Sequence, residues 1–382
     1  MKKSLTALAV LGVFAGSAMA ADVTLYGALD TGFEYFHHKT TDFDGTSVKD
    51  DTFDMQTGWD TGNRWGLKGS EDLGNGYKVS FKLESGFNGD TGTMGQGSRL
   101  FGREAGLTLS GPFGSVAFGR FGGIASSCGT YDMLGYVESF DGGDGDVWGF
   151  AASDRYDNMV VYQTPRFAGL QLTAQYSFKT DSKASAKFNS DGDPEFSGDE
   201  GTSHAKRYAS IGLSGEYGPA SFAAGYELTK YGVNEGTSTQ PGVGRELDKD
   251  GQLAFVGGNY DFEVVQLFAE AQYFKHQTST SIVDELGTDS LGLKGYGLHL
   301  GAAAPLGAGT LTAGLYYVDF SEEFDAKADE DYKFYGVSAR YNYPLSERTG
   351  VYVGAGYGQK KADDSDVKDQ LTQVYCGLVH TF

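Results

Sequence analysis

The sequence predicts an all-β fold: a 16-stranded antiparallel transmembrane β-barrel with one long loop folded inward. Apolar and polar residues alternate with a period of two through many short segments, which indicates strands with one apolar and one wet face. Glycine makes up 58 of the 382 residues, tyrosine 24 and phenylalanine 26, a composition typical of barrels. Connections between the segments are alternately short and long, as expected for hairpins that cross a membrane and return.

The first 20 residues are predicted to be a secretory signal peptide. Lys2 and Lys3 precede an apolar stretch at 5–15, and small residues at 18–20 offer a cleavage site. The apolar stretch is too short to cross a bilayer as a helix. We therefore expect residues 1–20 to be removed after export, and residues 21–382 to form a single barrel domain.

Sixteen segments carry the alternation. In LQLTAQYSFK (170–179), for example, both leucines point one way and both glutamines the other. A soluble sandwich would alternate in the same way, but aromatic residues at the ends of the apolar faces, such as Tyr77 with Phe87 and Tyr176 with Phe178, favour a membrane barrel. The predicted strands are 22–36, 63–73, 76–88, 99–110, 115–121, 155–165, 169–180, 207–217, 220–231, 252–260, 263–276, 293–304, 309–320, 331–343, 349–360 and 371–382.

The connections and one irregular strand complete the pattern. Strand 99–110 alternates poorly, because Glu104 falls on its nominally outward face, which predicts a bulge or a subunit interface there. Short turns are expected at 74–76, 111–114, 218–219, 305–309 and 344–346. Long acidic connections are expected at 37–62, 180–206, 232–251, 277–291 and 360–370.

Charge and motif content exclude several function classes. The formal charge of −21 argues against nucleic acid as a partner, since phosphates need a cationic surface. Cys128 and Cys376 form no zinc-like or CxxC spacing. Counting back by twos from an outward-facing Phe382 places Cys376 on the lipid face, whereas Cys128 lies in the long segment 122–154, so we expect no disulfide between them. The six histidines and the glycine-rich stretches match no catalytic motif. No cofactor or resident metal is expected, and an enzyme is the least favoured class.

The segment 122–154 breaks the alternation for thirty-three residues. A structureless loop of this length in a compact domain is expected to be functional. Arg120 precedes it and Arg155 follows it. Its acidic residues are Asp132, Glu138, Asp141, Asp144 and Asp146. We interpret the segment as an acidic loop folded into the barrel, where it faces arginines on the wall and sets the aperture of a water-filled channel.

Several stretches of the mature chain resemble the general porins of Gram-negative bacteria, in particular the β-proteobacterial type. NRWGLKGSEDLGNGYKVSFKLESGF is similar to the second and third strands of that family, and DRYDNMVVYQTPRFAGLQLTAQYS to the sixth and seventh. YNYPLSERT resembles the last periplasmic turn and GLVHTF the C-terminal signal, although Val379 and Thr381 depart from the usual pattern. The resemblance covers nearly the whole mature chain. It implies a trimeric barrel whose third loop narrows the pore.

The resemblance also assigns residues to the pore. The basic wall of the family maps onto Arg64, Arg103 and Arg155, with Arg120 as a neighbour, whereas a lysine that some porins carry in the first strand is Ala28 here. The loop carries Ser-Phe-Asp-Gly-Gly at 139–143 where family members often have Pro-Glu-Phe-Gly-Gly. Parity adds three further lumen residues, which are Lys68, Lys82 and Arg340.

The sequence thus predicts passive diffusion of ions and small hydrophilic solutes through an outer-membrane pore. The expected partners are outer-membrane lipid, lipopolysaccharide, two further copies of the chain in a homotrimer, and the permeating solutes. A substrate-specific channel is the alternative, because Tyr131, Tyr136, Phe140 and Trp148 lie in the loop; an adhesive or structural barrel plugged by the loop is a third. Acidic mouth segments, including Asp42 to Asp60, predict a weak preference for cations.

Overall fold

A computed structural model describes residues 23–140, 150–182, 187–188, 194–195, 200–202, 205–232, 247, 249–283, 286–287, 290–325 and 327–382. The predicted signal peptide and the loop acids Asp141, Asp144 and Asp146 lie outside these residues. Across the described ranges, helical structure is limited to single turns, and none is long and apolar enough to cross a bilayer.

The described residues are organised almost entirely as β-strands. In chain order the strands are β1 Thr24–Thr41, β2 Ser47–Thr57, β3 Arg64–Gly74, β4 Tyr77–Gly86, β5 Glu104–Gly111, β6 Gly114–Gly122, β7 Arg155–Gln163, β8 Leu170–Ser177, β9 Lys187–Phe188, β10 Pro194–Glu195, β11 Arg207–Tyr217, β12 Ala220–Lys230, β13 Gly251–Asp261, β14 Gln266–Gln277, β15 Ser290–Leu306, β16 Gly309–Phe324, β17 Glu330–Ser346, β18 Thr349–Ala362 and β19 Lys368–Thr381. Single helical turns lie at Gly95–Ser98 and Leu134–Tyr136.

The main sheet closes on itself as a barrel with sixteen antiparallel strand positions, and we call each such position a stave. Neighbouring strands pair antiparallel around the sheet, and β1 closes the circle by pairing with β19 from Ala28↔Thr381 to Thr41↔Lys368. The second stave is built from two segments, because β3 pairs with the first part of β1 and β2 with its remainder. Within the described ranges, the two-residue strands β9 and β10 pair with each other and not with the main sheet. The predicted fold class and number of staves are confirmed.

Side chains alternate between an exposed outer face and an inner face. In β15, His299 is 1% exposed, whereas Leu298 and Leu300 on either side are 48% and 61% exposed. The exposed positions of the belt are mainly apolar, as hydrocarbon requires, and the inner face carries buried charged residues such as Asp30, Glu84 and Glu270. Among the residues that the structure describes, the buried side chains form no sheet-on-sheet core. They lie inside the barrel, where the chain between β6 and β7 packs against the wall.

Aromatic residues frame the apolar belt at both ends. Towards the long connections, the rings of Tyr296, Tyr317 and Tyr335 lie on adjacent strands, with centroids 6.2 and 5.3 Å apart. Towards the short turns, Tyr77 and Phe113 lie 6.3 Å apart, and Phe262 is 52% exposed. Tyrosine and phenylalanine prefer the boundary between lipid tails and water, so the two bands mark the membrane surfaces. The short-turn end faces the periplasm in such barrels.

Two expectations about local structure are wrong. Strand β5 begins at Glu104 rather than at residue 99, and Glu104 points inward with 2% exposure, while Leu107 and Leu109 face outward. The neighbouring Arg103 also points inward. It precedes the first residue of the strand, so the inward-outward alternation of the strand does not apply to it. The predicted connection 37–62 is largely a hairpin, since β1 continues to Thr41 and β2 returns to Thr57.

Candidate functional site: a pore narrowed by an internal loop

The chain between β6 and β7 folds into the barrel. Its two ends lie side by side, because Gly123 N donates to Asp154 O at 3.0 Å and Ser153 N donates to Ala125 O at 2.8 Å. From there the loop crosses the interior, and Ile124, Ala125 and Val137 have no exposed surface. We call residues 123–154 the pore loop. The inward-folded loop predicted from the sequence is confirmed for its described parts, 123–140 and 150–154.

Glu227 on β12 fastens both ends of the pore loop. Its Oε1 accepts hydrogen bonds from Ala125 N and Ser153 Oγ, each at 3.0 Å, and from the hydroxyl of Tyr208. Glu227 is only 4% exposed. A buried carboxylate needs several hydrogen-bond donors to offset its lost hydration. Two of the three donors here belong to the pore loop, and the third is the Tyr208 hydroxyl on β11. The interaction therefore fixes the position where the loop leaves the wall.

The far side of the pore loop is held by side chains of three further strands. Gln272 on β14 makes two hydrogen bonds with Ala151, each of 2.8 Å, one to its N–H and one to its carbonyl. Asn259 on β13 donates to Tyr136 O at 2.9 Å, and His299 Nε2 on β15 accepts from Ser139 N at 3.3 Å. The loop therefore spans the lumen rather than lying along its own strands.

Glycines on the inner wall make room for the loop. A Cβ atom on Gly212 would lie 2.5 Å from Met133 Sδ, one on Gly257 2.9 Å from Val137 Cγ1, and one on Gly297 2.3 Å from Phe150 Cε1. Real Cβ atoms do not approach other atoms this closely, so a larger residue at these positions would displace the loop or the wall. Part of the glycine enrichment therefore serves close packing between wall and loop.

The open lumen beside the loop contains a cavity of about 720 Å³. It is bordered by the pore loop at Cys128 and Asp132 and by the wall opposite. Five basic wall residues line this first cavity: Arg64, Lys68, Lys82, Arg103 and Arg155. The structure thus brings together three of the four predicted wall arginines, both of the additional lumen lysines and one of the predicted acids.

Two of the five cations are neutralised by carboxylates of the wall. Arg103 Nε donates to Glu84 Oε1 at 2.7 Å, and Lys82 Nζ donates to Glu104 Oε2 at 2.8 Å. Glu104 also accepts a hydrogen bond of 2.6 Å from the hydroxyl of Thr130, which ties the pore loop to this side of the barrel. The poor alternation at Glu104 therefore reflects a lumen ion pair and a loop anchor.

The other three cations differ in their partners. Arg64 Nη1 donates to the carbonyl of Gly62 at 3.3 Å, and Lys68 Nζ lies 5.0 Å from the centre of the Tyr26 ring. Within the described ranges neither these two residues nor Arg155 forms an ion pair with a carboxylate. Their charge is available to anions or to the negative ends of polar solutes that pass through the cavity.

Arg120 is not brought into this set. Its Nη1 donates to Asp157 Oδ1 at 2.6 Å and its Nε to Gly102 O at 2.7 Å. It lines a second cavity of about 530 Å³, which it shares with Arg99 and Arg155. Arg155 borders both cavities.

Glu138 also lies away from the first cavity. Its side chain is 4% exposed, and the residue follows the single turn Leu134–Tyr136, whose Leu134 O accepts a hydrogen bond from Glu138 N at 2.9 Å. Of the acids predicted for the aperture, Asp132 alone lines the first cavity among those described.

Residues 58–63 form a second inward segment, which sequence reasoning missed. Asp30 accepts hydrogen bonds from the backbone of Asp60 at 2.7 Å and Thr61 at 2.8 Å, and the ring of Trp59 stacks on Tyr375 at 5.4 Å. The sequence placed Asp60 among the mouth acids; its Oδ1 instead lies 3.5 Å from Arg340 Nε inside the barrel. The Gly-Trp-Asp-Thr-Gly sequence between β2 and β3 is the signal that could have indicated it.

Arg340 joins the two inward segments. Its Nη1 donates to Trp59 O at 3.2 Å, and its guanidinium lies 5.0 Å from the centre of the Phe140 ring in the pore loop. The predicted lumen position of Arg340 is therefore a structural junction. It contacts both segments that narrow the barrel.

A closed 16-stave barrel with a lipid-facing belt, a wet interior and an internal loop defines a channel-forming outer-membrane protein. The sequence model of the Gram-negative porins matches residues 6–364, and the chain belongs to that family. An outer membrane porin of Bordetella pertussis is 34% identical over the full length of both chains. Outer membrane porin protein 32 of Delftia acidovorans is 30% identical over 99% of this chain and 95% of its own.

The solved structures agree with this assignment. An anion-selective porin from Comamonas acidovorans superposes with a TM-score of 0.66 and 25% identity, covering 95% of this chain and all of the other. OmpT of Vibrio cholerae, in a structure described as a trimer form, has a TM-score of 0.57 at 17% identity and supports the fold alone. This protein is thus an outer-membrane porin, and its family indicates a passive channel for solutes rather than an enzyme.

Proposed function

We propose that the pore loop and the basic wall together form the aperture that determines which solutes diffuse through this porin. The observation that carries the proposal is the first cavity, where Asp132 of the loop faces Arg64, Lys68 and Arg155 of the wall. Charges of opposite sign on the two sides of this cavity create an electric field across the channel, and the low-dielectric protein around it strengthens that field. Polar solutes can orient in that field and stay hydrated, whereas apolar solutes must displace ordered water.

Two charged regions act in opposition on ion selectivity. Acidic residues at the extracellular mouth attract cations at low salt, and the pKa of one of them, Asp44, is lowered by hydrogen bonds from the side chain and backbone of Thr46. The first cavity is lined by five basic and two acidic residues. Charges separated by more than the Debye length are screened, and this length falls from about 10 Å at 0.1 M salt to about 3 Å at 1 M.

Selectivity is therefore expected to depend on salt concentration. The weak cation preference predicted from the sequence should hold near 0.1 M salt, and anions should be favoured near 1 M, where the permeating ion senses mainly the cavity wall. The similar porin from Comamonas acidovorans is described as anion-selective. Reversal potentials across planar bilayers at the two salt concentrations test this expectation. A cation preference that persists at 1 M would contradict it.

The assembled state is proposed to be a homotrimer embedded in outer-membrane lipid and lipopolysaccharide. The family resemblance implies the trimer, and the exposed apolar belt between two aromatic bands supports contact with lipid. Reconstitution of the full mature chain tests both channel and assembly. Single insertions should conduct and then close in three equal steps. Absence of conductance would refute a pore, and single-step closure would refute the trimer.

The alternative, a substrate-specific channel, receives less support. Tyr131 is 4% exposed and Phe140 2% exposed, while the Tyr136 hydroxyl donates to Glu216 at 2.8 Å. These rings are occupied by packing and hydrogen bonding, and Trp148 lies outside the described residues. Block of the ion current by one solute at micromolar concentration would favour the alternative.

A further inference from the structure

The second inward segment, residues 58–63, turns sharply into the lumen between the end of β2 and the start of β3. Its two ends lie side by side, because a Cβ atom on Gly58 would lie 3.4 Å from Gly62 Cα. Gly58 has a φ of +83°, a left-handed conformation that glycine adopts without strain. The backbone N–H of Gly58 donates to Asp30 O at 3.1 Å. The segment is therefore fixed to the wall at the point where it enters the barrel.

The second inward segment lies across the inner faces of several strands on one side of the barrel. Its backbone is held by Asp30 on β1, whose side chain it covers completely. The ring of Trp59 stacks on Tyr375 of β19. Asp60 Oδ1 accepts a hydrogen bond of 2.5 Å from Asn342 Nδ2 on β17. The contacts of the segment thus extend along the wall from β1 to β17.

The pore loop covers the strands that follow. Besides its contacts with side chains on β12, β13, β14 and β15, it reaches β16, where Ser139 Oγ donates to Ala313 O at 3.2 Å. The next residue, Phe140, places its ring against the guanidinium of Arg340 on β17. The two inward segments therefore meet at β17, and together they cover most of the wall from β12 round to β1.

The first cavity lies on the remaining side of the barrel. Its basic residues belong to β3, β4 and β7 or directly precede β5. Gly58, Thr61 and Gly62 of the second inward segment border this cavity, as do Cys128 and Asp132 of the pore loop. An ion that crosses the barrel at this height is therefore confined to a passage along the basic wall.

We propose that the second inward segment sets the aperture together with the pore loop, and that Arg340 is the positioning residue that holds the two segments against each other. This inference rests on the aperture of the proposed function and adds a determinant to it. Arg340 is 7% exposed, and its planar guanidinium donates to Trp59 O, lies 3.5 Å from Asp60 Oδ1 and contacts the Phe140 ring. Lysine carries the same charge on a compact ammonium group and cannot make these three contacts at once.

Two variants that leave the net charge unchanged test the proposal in planar bilayers at 1 M salt. Trp59→Ala removes the ring that stacks on Tyr375, and Arg340→Lys removes the planar contact between the two segments. Both variants should raise the single-channel conductance, and larger polyethylene glycols should enter the pore and reduce its current. The Debye length at 1 M is about 3 Å, so a wider aperture should also bring the ratio of anion to cation permeability closer to one. A loss of stability alone would change none of these pore properties.

Two control variants accompany this test. Trp59→Phe retains a ring on Tyr375 and should keep the wild-type conductance. Arg348→Lys makes the same substitution in an exposed periplasmic turn and should have no effect. Circular dichroism and the electrophoretic mobility of the assembled protein verify that each variant forms the barrel.

The outcomes separate this proposal from the proposed function. Wild-type conductance and polymer size limit in both Trp59→Ala and Arg340→Lys, or an equal change in Arg348→Lys, would overturn the proposal. A change in Trp59→Ala alone would overturn the role of Arg340, and a change in Arg340→Lys alone would overturn that of the second inward segment. If both variants behave as the wild type while Arg155→Gln still shifts ion selectivity, the aperture formed by pore loop and basic wall stands without the second segment.

Discussion

At the level of single residues, the lumen contains charges that hold the structure and charges that face solutes. Glu84 and Glu104 neutralise Arg103 and Lys82, and Glu104 also fastens the pore loop through Thr130. Arg155, by contrast, lies between both cavities without a carboxylate partner in the described ranges. The alternation of the strands identified Lys82 as inward-facing and the family resemblance identified Arg103 and Arg155, whereas Glu104 was expected on the outward face. Pairing depends on contacts between distant segments, so the sequence could not show which lumen charges are neutralised.

Replacement of Arg155 should change ion selectivity. Removal of one positive charge about 7 Å from a permeating ion lowers the energy of a cation and raises that of an anion by about 0.6 kcal/mol each in water. Arg155→Gln should therefore shift the cation-to-anion permeability ratio towards cations by up to about sevenfold. Reversal potentials in a salt gradient measure the ratio. Arg348→Gln in a periplasmic turn is the control, and an equal shift in both variants would contradict the assignment.

Replacement of Glu227 should loosen the pore loop. In Glu227→Ala, the donors from Ala125, Ser153 and Tyr208 lose their shared acceptor, with an expected loss of about 2 kcal/mol in the free energy of unfolding. Glu227→Gln retains one acceptor oxygen and should lose less. Urea unfolding of the reconstituted protein measures the difference, and channel recordings should show added current noise for the alanine variant. Wild-type stability and quiet currents in Glu227→Ala would count against the anchor.

At the level of elements, the sequence predicted all sixteen staves and the inward direction of the pore loop. It succeeded because alternation and the contrast between short turns and long connections are local signals. It failed where distant contacts decide. Strand β5 starts late because Arg103 and Glu104 both turn inward to wall partners, and residues 58–63 enter the lumen because Asp30 and Arg340 hold them.

A bulky residue on the wall beneath the loop should displace it. Gly297 lies under Phe150, so Gly297→Val should push the pore loop from the wall and alter single-channel conductance. The matched control is Gly350→Ala on β18, where a Cβ would meet its nearest neighbour at an ordinary 3.4 Å. Conductance of Gly297→Val identical to that of the wild type would show that the contact does not position the loop.

At the level of the whole molecule, the barrel divides its charges by location. The outer belt is apolar, the extracellular connections are acidic, and the lumen wall at the first cavity is basic. The net charge of −21 describes the sum and hides this division. Composition was therefore sufficient to exclude nucleic acid and insufficient to predict the charge that a permeating ion meets at the aperture.

The most direct test of the account is the conductance of a barrel without its pore loop. Because Ala125 and Ser153 are hydrogen-bonded to each other, deletion of residues 127–151 joins two ends that already lie side by side. The deletion variant should fold as a barrel, as judged by its circular dichroism and trimer stability, and its single-channel conductance should exceed that of the wild type. A folded barrel whose conductance is unchanged or smaller would contradict the claim that the internal loop sets the aperture.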